Sequence, residues 1–352
     1  MQRNITMAGI EERNYGCTNK KVTSIGLGGG SLNKYSYSDG VDTVRRALEL
    51  GITYFDTSVH YGHGIRKYGT GVSQAILGEA LEEEKEGYLL ATKIGHFYTS
   101  DKYRSRDAIR TQIEDNLRLL RRDSIDVLQI HEADWQWWWT DNPSDNRQNT
   151  LSDITLNYSN SPVMEVLEES KKQGLSKAIG ITGNSSIKLK KILDEVNVDA
   201  CLCAFHYNVF HRGVKHDLIP ATRANGTALI LGGVFQCYRE EYDSSATLQS
   251  DHLWNSNPSW NLLDINSSWL TSKNSLWMPG ELRNRVERLW YLRNESGLSM
   301  MELIIGYMLG DQNISSILIG AGKPSEVEQC VKAAEKGPLS KDLHSEIECL
   351  GN

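Results

Sequence analysis

A chain of 352 residues with 39% hydrophobic content can bury one large core or two ordinary ones, and it needs no disulfide staples to fold. Its formal charge of -7 comes without a basic stripe, which argues against nucleic acid and anionic lipid as partners. No window approaches ~18 uninterrupted apolar residues and the opening MQRNITMAGIEERNYG has no secretory-type apolar core, so a cytoplasmic protein is expected.

From the N-terminus onward, two periods alternate. Residues 1–20 are expected to form a hairpin-like segment. Val22–Leu27 then reads as a strand running into Gly28 and Gly29, and Val41–Leu50 carries apolar residues at helical spacing. The same strand-then-helix order recurs in Thr53–Phe55 with Val72–Leu81, and in Tyr88–Thr92 with Arg106–Leu120. It recurs again in Ile125–Ile130 with a delayed helix at Val163–Gln173, and in Lys177–Ile181 with Ser186–Val196. Ala200–Ala204 with a helix near Leu218–Ala224, Thr227–Leu231, and Ser316–Ile319 with Pro324–Ala334 complete the series. Eight strands of this kind predict an α/β fold, a single (β/α)8 TIM barrel over residues 1–352. Since ~250 residues suffice for a plain barrel, the surplus is assigned to long insertions after strands four and seven, at about 135–162 and 237–280. The six cysteines are scattered; Cys201 and Cys203 lie on a strand-like run, where core packing in a reducing compartment is favoured over metal or disulfide use. No metal is expected.

Both insertions follow a strand, so both fall on the face where barrel active sites are built. Four tryptophans, Trp135, Trp137, Trp138 and Trp139, crowd the start of the first. They cannot all point inward from a regular element, so some are expected to be exposed for stacking on a sugar or a partner protein. The competing expectation is a loop that packs on itself or on another subunit.

The chemistry gathers at strand ends. ITYFDTSVHYGHG, Ile52 to Gly64, breaks from an apolar run into Asp56, His60 and Tyr61, with Gly62 and Gly64 letting the chain turn back over the strand. Taken alone it is equally a buried aspartate satisfied by a turn and a tyrosine capping the core. Strand three, however, ends at Lys93 in LLATKIG, and strand four ends at His131 in VLQIHEAD. A lysine at a strand end is usually solvated and a histidine there is often a satisfied core residue, but in a barrel all these groups converge on one mouth. There a Lys93 ammonium favours the Tyr61 phenolate, Asp56 keeps Lys93 charged, and His131 orients a substrate oxygen.

These residues and their surroundings, RNYGCTNKKVTSIGLGGG, GITYFDTSVHYG, LLATKIG, IDVLQIHEAD, KAIGITG and ILIGAGKPSEVEQC, resemble the aldo-keto reductase family over nearly the whole chain. The resemblance implies a catalytic tetrad of Asp56, Tyr61, Lys93 and His131, with Trp135 joining Tyr61 and His131 against the substrate. It also implies a nicotinamide dinucleotide lying extended over the barrel mouth, NAD(H) or NADP(H), against Gly28, Gly29, Asp56 and Gly232. Tyr61 would pass a proton to the carbonyl oxygen as hydride arrives, or remove it in the reverse direction.

Several positions depart from the common pattern. Thr182 and Gly183 replace the usual Ser-Asn pair that holds the carboxamide, His206 replaces a Gln, and Leu231 stands where an aromatic ring usually supports the nicotinamide. ITG and HYN resemble the branch that includes L-galactose dehydrogenase and other aldose 1-dehydrogenases, which implies a sugar or polyol substrate. In the C-terminal motif Gly320 and Gly322 let the backbone approach phosphate groups at a helix start. Glu326 stands where an Arg selects the 2'-phosphate, which favours NAD(H), although Lys323 partly restores phosphate binding. Gln329 and Cys330 replace the usual adenine contacts. The alternatives are an NADPH-dependent reductase of aldehydes or ketones, and a barrel that binds a ligand or partner through its Trp-rich loop without turnover. Nothing in the sequence decides between a monomer and a homo-oligomer.

Overall fold

The computed structural model describes residues 9–62, 71–143, 156–237, 260–271 and 280–351. An antiparallel hairpin, β1 (Glu12–Asn14) with β2 (Lys21–Thr23), comes first. The barrel strands follow as β3 (Ile25–Gly28), β4 (Tyr54–Asp56), β5 (Leu89–Ile94), β6 (Ile125–Ile130), β7 (Ser176–Gly183), β8 (Ala200–Ala204), β9 (Ala228–Gly232) and, after a two-residue pairing of β10 (Gln236–Cys237) with β11 (Trp260–Asn261), β12 (Ser316–Gly320). All eight run parallel, and β12 closes the ring by pairing with both β3 and β9. The strand expected at Val22–Leu27 is therefore divided: Val22 belongs to the hairpin, and Ser24 separates it from β3.

Period-2 alternation sorts every strand's side chains into two layers. Tyr54, Leu89, Ala91, Val127, Ala178, Ala200, Leu202, Ala228, Ile230 and Leu318 fill the interior, together with Tyr15 and Val22 of the hairpin, which plugs the end where the strands begin. The residues between them, such as Phe55, Leu90, Leu128, Ile179, Cys201, Cys203, Leu229 and Ile317, face the surrounding helices. Burial drives the Cys201 and Cys203 thiols well above their ordinary range, so they pack as small apolar groups.

The helices α1 (Tyr37–Glu49), α2 (Val72–Ala80), α3 (Arg106–Leu120), α4 (Pro162–Lys172), α5 (Ser186–Leu193) and α6 (Gly213–Asn225) follow β3 to β8 in turn. In α3, Ile109, Ile113, Asn116 and Leu120 make the buried stripe, Ser105 caps the start and Arg121 turns left-handed to end it. Helix Met300–Leu309 follows β9, and helix Pro324–Glu335 follows β12. Met300–Leu309 was not anticipated: it is apolar almost all round, so it has no amphipathic stripe to detect. Its capping box, Ser299 with Glu302, was the available signal. Two further helices, Gly280–Ser296 and Lys341–Glu348, add to the barrel's outside.

The tryptophan cluster packs inward, contrary to the expectation of exposure. Trp135, Trp138 and Trp139 are at most 2% exposed and Trp137 is half-buried. Their segment is a single 3₁₀ turn at Gln136–Trp138, whose irregular backbone sends successive rings in different inward directions. Tyr103 sits among them, edge-on to Trp137 and Trp138 at 5.3 and 4.7 Å between ring centres. The indole N–H of Trp138 donates to His131 O at 3.1 Å and that of Trp139 donates to Ala133 O. Residues 144–155 of this insertion, and 238–259 and 272–279 of the second, lie outside the described residues, as does Gly64.

Candidate active site

Where the interior apolar layers end, the inward positions of β4, β5 and β6 become polar: Asp56, Lys93 and Gln129, all essentially inaccessible. The Lys93 ammonium has three protons and three acceptors: it is ion-paired with Asp56 Oδ1, and donates to Thr57 O at 2.9 Å and to the Tyr61 hydroxyl at 3.2 Å. Gln129 Nε2 donates to the other oxygen of Asp56 at 2.8 Å, so the buried carboxylate is satisfied on both sides. Gln129 was not singled out in the sequence, yet a glutamine at an inward position of an otherwise apolar strand was a visible signal. Tyr61 follows on the loop after β4, with Gly62 at φ +122° supplying the turn. Its oxygen accepts from Lys93, so its own O–H is not used in that bond.

His131 directly follows β6 and its ring stands edge-on to Tyr61 at 5.6 Å. Its Nδ1 lies 2.9 Å from Ser58 Oγ, and among the described residues Nε2 has no hydrogen-bond partner. Thus Asp56, Tyr61, Lys93 and His131 come together at one mouth. Their ionisation follows from burial and pairing. Burial raises the Asp56 carboxyl above its usual value, with Lys93 and Gln129 opposing. Burial works against the Lys93 charge, but Asp56 and then Tyr61 outweigh it and its pKa lies above the ordinary lysine value. For Tyr61 burial is the larger effect and Lys93 offsets only part of it, so the phenol's pKa is raised. This corrects the expected phenolate: burial outweighs Lys93, and the Tyr61 phenol holds its proton more tightly than usual. Burial, then His96, Lys93 and His60, hold the His131 imidazole well below its ordinary pKa, hence neutral.

Around His131 the structure brings together His60 and Trp135 with His96, Glu132 and Asn184, which the sequence reading passed over. His60 stacks on His96 at 3.6 Å between ring centres, and His96 meets His131 at 4.4 Å and Trp135 at 5.0 Å. His96 Nε2 is 3.4 Å from Glu132 Oε2, while Asn184 Nδ2 donates to Glu132 Oε1 at 3.2 Å. His96 and Glu132 adopt φ of +55° and +49°, left-handed conformations that cost a side-chain-bearing residue on the order of 1 kcal/mol each. Trp135 is thus close to the mouth, although it is almost fully buried under His96. Among the described residues no group of three His, Cys, Asp or Glu is arranged to hold a metal ion.

The expected cofactor residues are less uniform. Gly28 and Gly29 lie at the end of β3, and a side chain on Gly29 would meet Ser73 and Asp56 O. Thr182 points inward, but its hydroxyl donates to Ile130 O at 3.1 Å and accepts from Glu132 N–H at 3.2 Å, so it braces the β6 end. Gly183 lies against Asp134, and Asn184, one residue on, has its side-chain amide bound to Glu132. His206 Nδ1 lies 3.4 Å from Ser186 Oγ at the end of β8. Leu231 is fully buried in the outer apolar layer, turned to the helices, because it occupies an outward position of β9; the inward position is Gly232. It therefore cannot be the shelf beneath a ring at the mouth.

After β12, Gly320 and Gly322 leave no room for a side chain against Ser31, and helix Pro324–Glu335 starts with no side-chain cap from Lys323. Glu326 Oε2 accepts from Gly322 N–H at 2.7 Å and Oε1 from the Tyr35 hydroxyl at 2.7 Å, tying this loop to the one after β3. Although burial opposes it, these bonds and Lys34 keep the Glu326 carboxyl below its usual pKa. Lys323 Nζ lies 3.9 Å over the half-exposed Tyr35 ring. Gln329 is exposed and Cys330 is buried.

Comparison with known proteins gives a consistent picture. The aldo/keto reductase family model matches residues 24–352. L-galactose dehydrogenase of Arabidopsis thaliana is 27% identical over 359 residues, covering 98% of this chain and 95% of that protein. D-threo-aldose 1-dehydrogenase of a Pseudomonas species is 22% identical over 80% of this chain and 79% of its own length. Among solved structures, the aldo-keto reductase AKR11C1 of Bacillus halodurans, in its holo form, superposes with a TM-score of 0.69 at 20% identity, covering 97% of both chains. Among the described residues no helix is long and apolar enough to cross a membrane.

Proposed function

The chain belongs to the aldo/keto reductase family and is an oxidoreductase of carbonyl and alcohol groups; from that premise we propose that Asp56, Tyr61, Lys93 and His131 form its catalytic centre and that its substrate is a sugar or polyol. The observation that carries this is the satisfied chain from Gln129 through Asp56 and Lys93 to the Tyr61 oxygen, which ends on one transferable proton. Its substrate class is supported by the two sugar dehydrogenases among its relatives.

The loop after β12 suits a dinucleotide: glycines where a Cβ would collide, followed by an open helix start. Gly28, Gly29, Gly232, Gly320, Gly322 and Lys323 would line its groove, and such a cofactor supplies or accepts the hydride. Tyr61 gives its proton to a carbonyl oxygen placed between it and His131, whose neutral imidazole donates a hydrogen bond that orients that oxygen. Lys93 keeps the phenol oxygen supplied with positive charge while Asp56 keeps Lys93 in place. In the oxidation direction the raised Tyr61 pKa must come down; Lys93, already hydrogen-bonded to the phenol oxygen, works in that sense, and a positively charged oxidised nicotinamide would add to it. Glu326 near the 2' position favours NAD over NADP, because a carboxylate repels phosphate. The rival reading, an NADPH-dependent reductase, is favoured by Lys34 and Lys323 flanking the same place.

Quenching of tryptophan fluorescence by NAD and NADP in turn decides the cofactor; failure of both to bind at about 1 mM removes the reading that this loop holds a nicotinamide dinucleotide. Tyr61→Phe is expected to lower turnover by about 10²–10⁴-fold and leave cofactor binding nearly unchanged. Surviving turnover would show that Tyr61 is not the proton donor.

A further inference from the structure

We propose that Ser58 is a positioning residue of this site: its buried hydroxyl donates to His131 Nδ1 and so fixes the imidazole as the tautomer that carries its proton on Nε2, facing the reacting oxygen. The proposal rests on the role given to His131 above, and extends it to a residue outside the catalytic four.

The argument is a count of protons and acceptors. Ser58 is fully buried, so its hydroxyl proton must find an acceptor within the protein. Its oxygen already accepts from His60 N–H at 3.1 Å. Among the described residues, the one other polar atom paired with it is His131 Nδ1, at 2.9 Å. If Nδ1 carried the proton, the serine O–H would be buried with nothing to receive it, at a cost of about 1–3 kcal/mol. Ser58 therefore donates, Nδ1 accepts, and the ring proton lies on Nε2.

That choice matters for chemistry because the two tautomers present opposite groups to the mouth. With the proton on Nε2, His131 offers a donor to a carbonyl or alkoxide-like oxygen; with it on Nδ1, a lone pair would face that oxygen and repel it. The rest of the shell holds the ring in place without selecting a tautomer. Trp138 donates to the His131 backbone oxygen, not to its ring, and His96, His60 and Tyr61 meet the ring through their faces and edges. Lys93 gives its protons to Asp56, Thr57 and Tyr61. Ser58 also sits two residues after Asp56 and three before Tyr61, so the loop that delivers the acid-base pair delivers the tautomer lock as well.

The test reads the tautomer directly. Protein labelled with ¹⁵N in histidine is compared by long-range ¹H–¹⁵N correlation for wild type, Ser58→Ala and Ser58→Thr, with His131→Gln to assign the His131 signals. The wild type is expected to show an unprotonated Nδ1 and a protonated Nε2. In Ser58→Ala that pattern should change to a mixture or to protonated Nδ1, and Ser58→Thr, which keeps a hydroxyl, should restore it. In parallel, reduction of DL-glyceraldehyde should slow by about ten-fold or more in Ser58→Ala, chiefly in kcat, and recover in Ser58→Thr. An unchanged Nε2–H pattern in Ser58→Ala overturns the proposal even if the rate falls, since the serine is then merely structural. A changed tautomer with an unchanged rate also overturns it. If His131→Gln itself keeps the wild-type rate, the failure belongs to the reading of His131 and not to Ser58, whose effect on the tautomer stands or falls by the spectrum.

Discussion

Strands β4 to β6 carry the side chains proposed to handle protons, while the loops after β9 and β12 carry those proposed to hold the cofactor, and the two groups differ in what holds each side chain. Asp56 and Lys93 are strand residues whose direction follows from alternation; their neighbours are fixed by barrel registry, Asp56 opposite Ala91 and Lys93 opposite Gln129. Glu326, Tyr35 and Lys323 lie on helix starts and loops, partly exposed, with partners chosen by local contact. The first half is therefore rigid and costly to disturb, and the second is adjustable. Leu231 illustrates the boundary: one residue of strand parity separates a mouth position from a core position.

This contrast can be broken experimentally, beginning where the effect should be greatest. Lys93→Met leaves Asp56 charged and buried without its counter-ion and is expected to cost about 3–5 kcal/mol of stability, read from the denaturant midpoint. Adding Asp56→Asn should recover part of that loss, and no recovery would mean that the pair is not coupled as the structure shows. Next, Leu231→Ala should cost about 2–5 kcal/mol as a core cavity while leaving NAD affinity unchanged. A large loss of cofactor binding in a still stable protein would return Leu231 to the mouth.

The third test uses pH. The His131 imidazole in the folded state lies well below its ordinary value of 6.5, so below that pH the unfolded chain takes up a proton that the folded protein refuses. Stability attributable to His131 is present above pH 6.5 and falls by up to about 1.4 kcal/mol for each pH unit below it. Asp56, raised by burial, acts in the opposite sense at lower pH, so the comparison is wild type against His131→Gln between pH 5 and 7, and a parallel pair of curves would refute a depressed His131. The smallest effect is expected in the adjustable half. Glu326→Arg should shift cofactor preference towards NADP by about 1 kcal/mol or less, with little change in stability, because the residue is half-exposed. An unchanged preference would mean that Glu326 only ties the loop to Tyr35 and does not face the ribose.

Most of the proton-handling half was legible in the sequence because strand ends are marked by a change from apolar to polar residues. Asp56, Lys93 and His131 each stand at such a break. Gln129 and Ser58 carry weaker marks: each is one polar residue inside a run whose neighbours explain it adequately. His96 and Glu132 had no mark, since their importance depends on left-handed backbone and on rings supplied by His60 and Trp135. The tryptophans misled because counting directions assumed a regular element, whereas an irregular turn sends each indole to its own pocket. Met300–Leu309 escaped because total burial erases the periodicity on which helix recognition depends.

By itself the sequence determined the barrel, its strand order and the residues that meet at the end of β4 to β6, because hydrophobic periodicity fixes which way a strand's side chains point and β/α alternation fixes where its ends lie. Only the tertiary structure decided that burial outweighs Lys93 and raises the Tyr61 pKa, that Leu231 faces the helices, that Glu326 is tied to Tyr35, and that Ser58 meets His131. Each of those depends on distances of a few ångströms between segments far apart in the chain, and on how much water the packed barrel excludes, and neither quantity is written in local pattern.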